Sequence, residues 1–451
     1  MIKFIENIMD KMLPSPFSIA ILLTILIILI SIIFTDHNLI DTIYFWEQGL
    51  WNPGLMNFAM QMMLMLVLGY VIALSSSVNK LIHKIITLCN NTSKAAFFVS
   101  MFTIIMSFLN WGLGLIFGAI LVRKVGEYAI KNKLTLNYPL IGAAGYSGLM
   151  VWHGGLSGSI PLKVAEKNHF SEIINNEIML NKLPINGVNF NETIFSSMNI
   201  SVSIVLLIII PSLLYYVGKK DFNIKKLKFQ QIFNIDNSKN KTHIGAEKID
   251  YSTWFNKIIG VGILIIATQK MIIANSISFI NPNFINLLLL GFAICLHNHI
   301  NDFLKAVNNA IRSASGILIQ FPLYFGIMGI MSSSGLVDIF ANFFVSISND
   351  LSYPILTMFS GGLVNIFVPS GGGQWAVQGP IVLQSALELG IDIPKSIMAL
   401  AYGDQLTNML QPFWALPLLG ITELKAREIL PYTILIMLIG LCVFTSCLLL
   451  F

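Results

Sequence analysis

The chain has 451 residues, of which 55% are hydrophobic and only 11% are charged, whereas a soluble domain carries roughly a quarter charged residues. So apolar a composition excludes a soluble globular fold. The formal net charge of +5 is typical of the Lys-rich and Arg-rich cytoplasmic loops of a membrane protein, and it indicates no nucleic-acid partner.

Several apolar runs reach the about 20 residues that a membrane-spanning helix needs. These runs are 17–34, 55–74, 194–217, 258–279 and 430–451. They predict an all-α, multi-pass protein of the inner (cytoplasmic) membrane. The first run lacks a basic leader and a cleavage site, so we expect it to be a retained span. Residues 35–54 carry acids and no Lys or Arg, and 75–94 carry lysines and no acid, which predicts a cytoplasmic N-terminus.

The segment 95–122 is apolar, yet Lys94 precedes it and Arg123 follows it. A single span would leave one basic flank outside, so we expect a re-entrant hairpin that enters and leaves on the cytoplasmic side. Glycines weaken a helix, and non-helical backbone at this depth normally lines a site. The predicted tip supplies the candidate substrate-binding residues Asn110, Trp111, Gly112 and Gly114.

Residues 152–159 are so rich in glycine that the next helix should unwind there. The candidate substrate-binding residues in this stretch are Trp152, His153, Gly154, Ser157 and Ser159. His153 could titrate near neutral pH and take part in ion coupling, or it could be a neutral, hydrogen-bonded residue beside the tip. The sequence leaves both interpretations open.

A hydrophilic, Lys-rich stretch at 218–255 predicts a cytoplasmic linker between an N-terminal membrane repeat, 1–217, and a second membrane region, 256–451. The second region begins with a linking span, which inverts the repeat that follows. Its segment 351–389 is apolar except at Pro369 and the glycines after it, which predicts a second hairpin that enters from the outer side. Its candidate substrate-binding residues are Ser370, Gly371, Gly372, Gly373 and Trp375.

Helix N-termini at such tips present N–H groups and positive dipole ends, which bind anions without Arg or Lys. Asn110 and Ser370 could add side-chain donors. Trp111, Trp152 and Trp375 could form apolar walls for a short carbon chain, or they could anchor the protein at the lipid interface.

Polar residues at 404, 407, 408 and 411 share the spacing of one helical face. This stripe either forms interhelical hydrogen bonds or lines the substrate and coupling-ion site, with Asn408 and Gln411 on the substrate. The candidate ion-coupling residues are Asp404, His153, Thr407, Asn110 and Asn365. A sodium ion near the tips or a proton is the expected coupling ion, and no other cofactor is expected.

Two pairs of segments resemble each other in the same order along the chain. Residues 61–77 match 320–334, and 146–162 match 402–418. With a hairpin between them in each half, they predict two inverted-topology repeats, each with a re-entrant hairpin and a broken transmembrane helix. That arrangement is typical of secondary transporters.

At these motifs the sequence resembles the short-chain fatty acid transporter family, which is associated with acetoacetate and butyrate. The resemblance covers nearly the whole chain. Its strings are Trp51-Asn52, Asn110-Trp111-Gly112, Gly155-Leu156-Ser157-Gly158-Ser159, Val368-Pro369-Ser370-Gly371-Gly372-Gly373, Gln378-Gly379-Pro380 and Gln411-Pro412-Phe413-Trp414. It implies a scaffold domain, a moving transport domain, a homodimer, and a substrate carboxylate held by Asn110, Ser370 and the loop 371–373.

We therefore expect uptake of small monocarboxylates, coupled to a proton or sodium gradient, by an elevator-type movement. A carrier of another small organic anion is the alternative within the same class. A membrane-embedded hydrolase is the rival from another class, because Ser157, His153 and Asp404 include the residue types of a nucleophilic triad.

Overall fold

The computed structural model describes residues 14–174, 177–220, 245–273, 279 and 281–451, and within them it is built of helices and connecting segments. Helices are the expected solution for so apolar a chain, because they satisfy backbone N–H and C=O groups without water. Residues 221–244 of the predicted linker and 274–278 of the predicted linking span lie outside the described residues. The all-α prediction is confirmed.

The first half contains eleven labelled helices in the described residues. They are α1 Pro16–Phe34, α2 Leu39–Leu50, α3 Pro53–Leu74, α4 Ser76–Ile86, α5 Thr92–Leu109, α6 Trp111–Lys131, α7 Tyr138–Tyr146, α8 Ser159–Val164, α9 His169–Ile173, α10 Glu177–Leu180 and α11 Ser197–Lys220.

The second half follows with eleven more among the described residues. They are α12 Glu247–Asp250, α13 Thr253–Ile273, α14 Pro282–Leu296, α15 Ile300–Ala310, α16 Ser315–Ser333, α17 Leu336–Ser346, α18 Tyr353–Phe367, α19 Gly371–Leu389, α20 Ile393–Thr407, α21 Pro412–Thr422 and α22 Ala426–Leu450. Seven helical runs of the described chain are long and apolar enough to cross a membrane.

The order of elements recurs in the two halves. A long helix (α3 or α16) leads to a short helix (α4 or α17), then to a pair of helices (α5–α6 or α18–α19), a broken helix (α7–α8 or α20–α21) and a long helix (α11 or α22). The short helices α4 and α17 do not figure in the sequence-based prediction. That the two series are inverted copies, and that the repeats end at 217 and begin at 256, stay predictions.

The helices α5 and α6 form an antiparallel pair, because close contacts along them run in opposite directions. A Cβ on Gly114 would lie 2.0 Å from Ser107 Oγ, and one on Gly118 would lie 2.8 Å from Thr103 Oγ1. Glycine at these positions lets the two backbones approach each other. The second arm, α6, continues past the predicted end at 122 to Lys131.

Arg123 is not the solvated flanking charge that its sequence position suggests. Its side chain is only 1% exposed, and it donates to Glu127 Oε1 at 3.1 Å and to Glu423 Oε1 at 2.8 Å. The bond to Glu423 joins α6 to the loop between α21 and α22. A buried arginine needs such partners, because an uncompensated charge is costly away from water.

The helices α18 and α19 form the second antiparallel pair. Tyr353 OH donates to Val382 O at 2.7 Å near the open end of the pair. Closer to the tip, Gln378 Nε2 donates to Ser360 Oγ at 3.0 Å. Buried polar side chains therefore hold α18 and α19 together, whereas in the first pair small residues let α5 and α6 approach closely.

Two groups of helices emerge from the contacts between elements. In the first, α1, α2 and α3 pack against α14, α15 and α16. In the second, α5 to α7 and α11 pack with one another. The helices α18 to α22 pack against them by way of α21, α22 and the 3₁₀ turns that interrupt the two broken helices. The short helices α4 and α17 each touch both groups, since α4 contacts α3 and α6 and α17 contacts α16, α18 and α19.

We expect Gly118→Ala to destabilise the protein by about 1–3 kcal/mol, because the added methyl group overpacks the contact with α7 and α5. A Cβ there would lie 2.2 Å from Gly145 O. The matched control is Gly262→Ala in α13, where a Cβ would meet nothing within 4 Å and alanine should stabilise the helix by about 0.5–1 kcal/mol. Thermal unfolding of both variants in detergent measures the difference, and equal shifts would contradict the close helix pairing.

Candidate functional site

The first tip is a single-residue break between α5 and α6. Asn110 has extended backbone angles, φ −156° and ψ 128°, and its Oδ1 accepts the N–H of Leu113 at 3.0 Å. Asparagine capping thus ends one helix and begins the next. Gly112 and Gly114 lie inside α6, so the break falls at Asn110 and not at these glycines. They serve close packing instead.

The second tip lies between Phe367 and Gly371. Ser370 Oγ caps α19 by accepting the N–H of Gly373 at 3.2 Å. The three glycines form the first turn of α19, so the expectation that they break the helix is wrong. A Cβ on Gly372 would meet nothing within 4 Å, which leaves open space at this turn.

Both caps use an acceptor atom of the capping side chain. The Nδ2 group of Asn110 and the hydroxyl hydrogen of Ser370 are thus left for other partners. The first turn of each helix also presents N–H groups that have no partner within the helix. One of them, Trp111 N–H, donates to Ser157 Oγ at 2.9 Å.

An unwound segment lies between the two tips. After α7 the chain forms two short 3₁₀ turns, Ser147–Met150 and Trp152–Gly154, and resumes an α-helix at Ser159. The predicted unwinding is therefore observed, and it begins earlier than the glycine-rich stretch. Ser159 is the first residue of α8 rather than part of the unwound segment.

The unwound segment contacts both tips. Leu156 N–H donates to Phe108 O at 2.8 Å beside the first tip. On the other side, a Cβ on Gly371 would lie 2.5 Å from His153 Nε2. Residues 152–157 thus touch both tips.

The second broken helix contacts the first. The helix α20 ends at Thr407, a 3₁₀ turn covers Asn408–Leu410, and Gln411 is extended. The prediction that the polar stripe occupies one continuous helical face is therefore wrong. Tyr146 OH, at the end of α7, donates to Asn408 O at 2.8 Å, so the two breaks are in contact.

Asn365, on the first arm of the second hairpin, brings the polar stripe together. Its Nδ2 group donates to Asp404 O at 2.7 Å, to Thr407 Oγ1 at 3.0 Å and to Asn408 Oδ1 at 2.9 Å. Its backbone carbonyl accepts Gln411 Nε2. The residues predicted from spacing therefore do meet, but around a side chain from another helix.

His153 and Asp404 face each other in the protein interior. His153 Nδ1 lies 3.4 Å from Asp404 Oδ1 and 3.2 Å from Ala401 O. Neither side chain is more than 2% exposed. His153 Nε2 has no hydrogen-bond partner among the described residues, so no bond joins it to Ser157 as a hydrolase triad requires.

Three tryptophans and a phenylalanine form an aromatic wall beside the first tip. The ring centroid of Trp111 lies 5.8 Å from that of Trp152, 5.1 Å from that of Trp414 and 6.1 Å from that of Phe58. Trp375 is not part of this wall. It belongs to a smaller core cluster formed with the 160–188 region, where its Nε1 donates to His169 Nε2 at 2.9 Å.

Sequence reasoning missed several residues that hold the site. Gln405 Oε1 accepts His153 N–H at 3.0 Å. Asn199 Nδ2 donates to Gly154 O at 2.9 Å, and Tyr402 OH donates to Asn199 Oδ1 at 3.1 Å. Their signal in the sequence was a polar group within an apolar helix, which normally finds a partner inside the protein.

Buried polar atoms without a partner are concentrated here. Those around the tips and breaks, within the described residues, include Ser107 Oγ, Trp152 Nε1, His153 Nε2, Asn365 Oδ1, Gln374 Oε1, Asp404 Oδ2, Asn408 Nδ2, Gln411 Oε1 and Trp414 Nε1. Most buried polar groups in proteins are hydrogen-bonded, and each one left without a partner costs about 1–3 kcal/mol. Such a concentration indicates a place where a polar ligand or ion completes the bonding.

An apolar cavity of about 280 Å³ adjoins the second break. Its polar lining includes Tyr146, Tyr324 and Gln411. The volume is below the roughly 300–1,000 Å³ of sites that enclose drug-sized ligands. The cavity therefore suits a small molecule.

Comparison with known proteins identifies the family. The family model described as "Short chain fatty acid transporter" matches residues 1–451. A relative from Escherichia coli (strain K12), named "Putative short-chain fatty acid transporter", is 34% identical over 453 residues, which is 100% of this chain and 99% of the relative. A relative of the same name from Haemophilus influenzae (strain ATCC 51907 / DSM 11121 / KW20 / Rd) is 35% identical over 433 residues, covering 95% and 94%.

Among solved structures, the YdaH transporter of Alcanivorax borkumensis aligns with 96% of this chain and 98% of its own, with a TM-score of 0.44 and 13% identity. A TM-score below 0.5 carries no conclusion about the site. The sequence matches suffice: the chain belongs to the short-chain fatty acid transporter family, and it is a multi-pass membrane transporter rather than an enzyme.

Neighbouring glycines of the second tip should respond in opposite directions to a methyl group. We expect Gly371→Ala to destabilise the protein by about 1–3 kcal/mol, because the new methyl group would meet His153 Nε2 and Trp152. Gly372→Ala enters open space and should stabilise by about 0.4–1 kcal/mol. Thermal unfolding in detergent measures the stability of both variants. If both substitutions lowered it by similar amounts, the result would show that the tip does not contact His153.

Proposed function

We propose that this protein takes up short-chain fatty acids, such as butyrate, acetoacetate or similar small monocarboxylates, across the cytoplasmic membrane, driven by a proton or sodium gradient. The observation that carries the proposal is the meeting of both hairpin tips and both broken helices around buried polar atoms that lack partners. A transported solute needs such a site, because it must be bound in the interior and then released.

The chemistry of the site favours a small anion with a short apolar chain. Trp152 Nε1, Trp414 Nε1 and Asn408 Nδ2 are buried donors without a partner in the described residues, and a carboxylate oxygen accepts from such donors. The N-termini of α6 and α19 add positive dipole ends. The rings of Trp111, Trp152 and Trp414 offer apolar surface to the carbon chain.

The arrangement of helices favours an elevator movement as the transport mechanism. The site lies mainly within the group that contains both hairpins, while the other group contributes α3 and α16 at its edge. The short helices α4 and α17 connect the groups, and in α4 Lys80 is exposed. The group of helices that contains both hairpins would slide along the group of α1–α3 and α14–α16. This movement would carry the bound acid across the membrane while both tips stay closed over it.

The family resemblance also suggests a homodimer, in which the group of α1–α3 and α14–α16 would be the static part. We place the N-terminus and the open end of the first hairpin on the cytoplasmic side, and the open end of the second hairpin on the outer side. A carrier of another small organic anion remains the alternative, since the donors recognise any carboxylate.

The test is uptake of labelled butyrate by proteoliposomes under separately imposed proton and sodium gradients. Protonated short-chain acids cross bilayers unaided, because the neutral form loses little on leaving water. Uptake is therefore counted only above that of protein-free liposomes. Saturable uptake that other short monocarboxylates inhibit supports the proposal, whereas wild-type protein that gives no uptake above the protein-free level under either gradient contradicts it.

We expect Asp404→Asn to reduce gradient-driven uptake at least tenfold, because it removes a buried carboxylate from the site without changing its size. A tenfold loss corresponds to about 1.4 kcal/mol in the barrier for transport. The control is Asp350→Asn, which removes the same charge from an exposed turn and should leave uptake unchanged. Equal uptake by the two variants would exclude Asp404 from coupling, and size-exclusion profiles in detergent show whether both remain folded.

A further inference from the structure

We propose that His153 holds the coupling proton and donates it, as a hydrogen bond from Nε2, to the carboxylate of the substrate. Each acid anion would then cross together with one proton, so that the transported pair is neutral. This inference rests on the proposed function and decides between its two candidate ions. No covalent bond forms or breaks except the N–H bond of the imidazole, which forms at the outer side and breaks at the inner side.

The first step is the tautomer of the ring. His153 Nδ1 lies 3.2 Å from the backbone carbonyl of Ala401. A carbonyl oxygen only accepts hydrogen bonds, so Nδ1 must carry the hydrogen. In the neutral ring the other nitrogen, Nε2, is then a bare acceptor.

The second step is what Nε2 faces. It is buried without a partner among the described residues, and a Cβ on Gly371 would lie 2.5 Å from it. Gly371 begins the helix whose N-terminus is the proposed anion site. A carboxylate bound there would be repelled by the lone pair of a neutral ring, whereas a protonated Nε2 would give it a charge-assisted hydrogen bond. Binding of the anion therefore selects the protonated ring.

The third step is the countercharge. A buried imidazolium is costly by itself, but Asp404 Oδ1 lies 3.4 Å from Nδ1 on the far side of the ring. The protonated ring would thus lie between a fixed carboxylate and the carboxylate of the substrate. Release of the substrate removes one of these two charges and favours loss of the proton.

No other charge competes at the ring among the described elements that pack around it. Besides Asp404, the charged residues of α5, α8, α19 and α20 are Lys94, Lys163, Glu388 and Lys395. These four lie in the opening turns of α5 and α20 and the closing turns of α8 and α19. The ring itself contacts Gly371 at the tip of α19, Ala401 and Asp404 of α20, and the stacked ring of Trp152.

A purely structural role for His153 is the competing explanation. Its backbone N–H and its Nδ1 group both hold the unwound segment against α20. A matched control exists in His297, which is also buried, also bonds a backbone carbonyl through Nδ1 (Ala293 O, 2.8 Å) and also has an Nε2 atom without a described partner. His297 lies outside the hairpin tips, at the end of α14.

The first measurement is butyrate binding to the purified protein in detergent as a function of pH, by titration calorimetry. If binding requires one proton, the affinity of the wild-type protein should be flat at low pH and fall about tenfold per pH unit at high pH. His153→Gln should remove this dependence, and His297→Gln should keep it. Binding to the wild-type protein that is independent of pH from 5 to 9 would overturn the proposal whatever the variants do.

The second measurement is transport by the same three proteins. The wild type and His297→Gln should accumulate butyrate above protein-free liposomes when the outside is acidic, without sodium. His153→Gln should lose accumulation at least tenfold, a larger loss than that of its exchange of external for internal butyrate at equal pH. Accumulation by the wild type under a sodium gradient alone would overturn the role of His153 while leaving the proposed function intact, and absence of any transport would contradict the proposed function itself.

Discussion

The structure depends on one constraint: backbone that leaves the helical conformation inside a membrane must find its hydrogen bonds within the protein. The segment 147–158 meets it with bonds from elements far away in the sequence. Phe108 accepts one of its N–H groups, Gln405 accepts another, and Asn199 donates to one of its carbonyls. These partners come from α5, α20 and α11, so the unwound segment is also one of the places at which the two halves are joined.

The same constraint explains how much of the site could be predicted. Helix breaks leave local signals, such as the glycine-rich stretch 152–159 and the proline before Ser370, and the breaks appear near where they were expected. That the helix pairs re-enter the membrane stays a prediction. The residue that causes each break was harder to identify from the sequence. At Asn110 and Ser370 a side-chain acceptor caps the following helix, and the nearby glycines, which looked like the breaking residues, are helical.

Which distant residues bond to each other could not be deduced from the sequence, although Asn365 was among the candidates. Spacing placed Asp404, Thr407 and Gln411 on one face, yet it is Asn365, about 40 residues earlier, that brings them together after the helix has ended. Trp375 looked like a wall of the site and instead binds His169. In both cases the outcome depends on which helices pack together. The spacing of polar residues along a helix shows which face is polar, but not which helix packs against that face.

The buried bond between Arg123 and Glu423 bears on how the chain is made. Its two partners are separated by 300 residues, so a ribosome completes most of the protein before the second one exists. Until then Arg123 can pair with Glu127, four residues further along α6. The bond to Glu423 therefore fixes α6 against the loop between α21 and α22 only after most of the chain has been made. The order of translation thus makes this contact between the two halves a late step of folding.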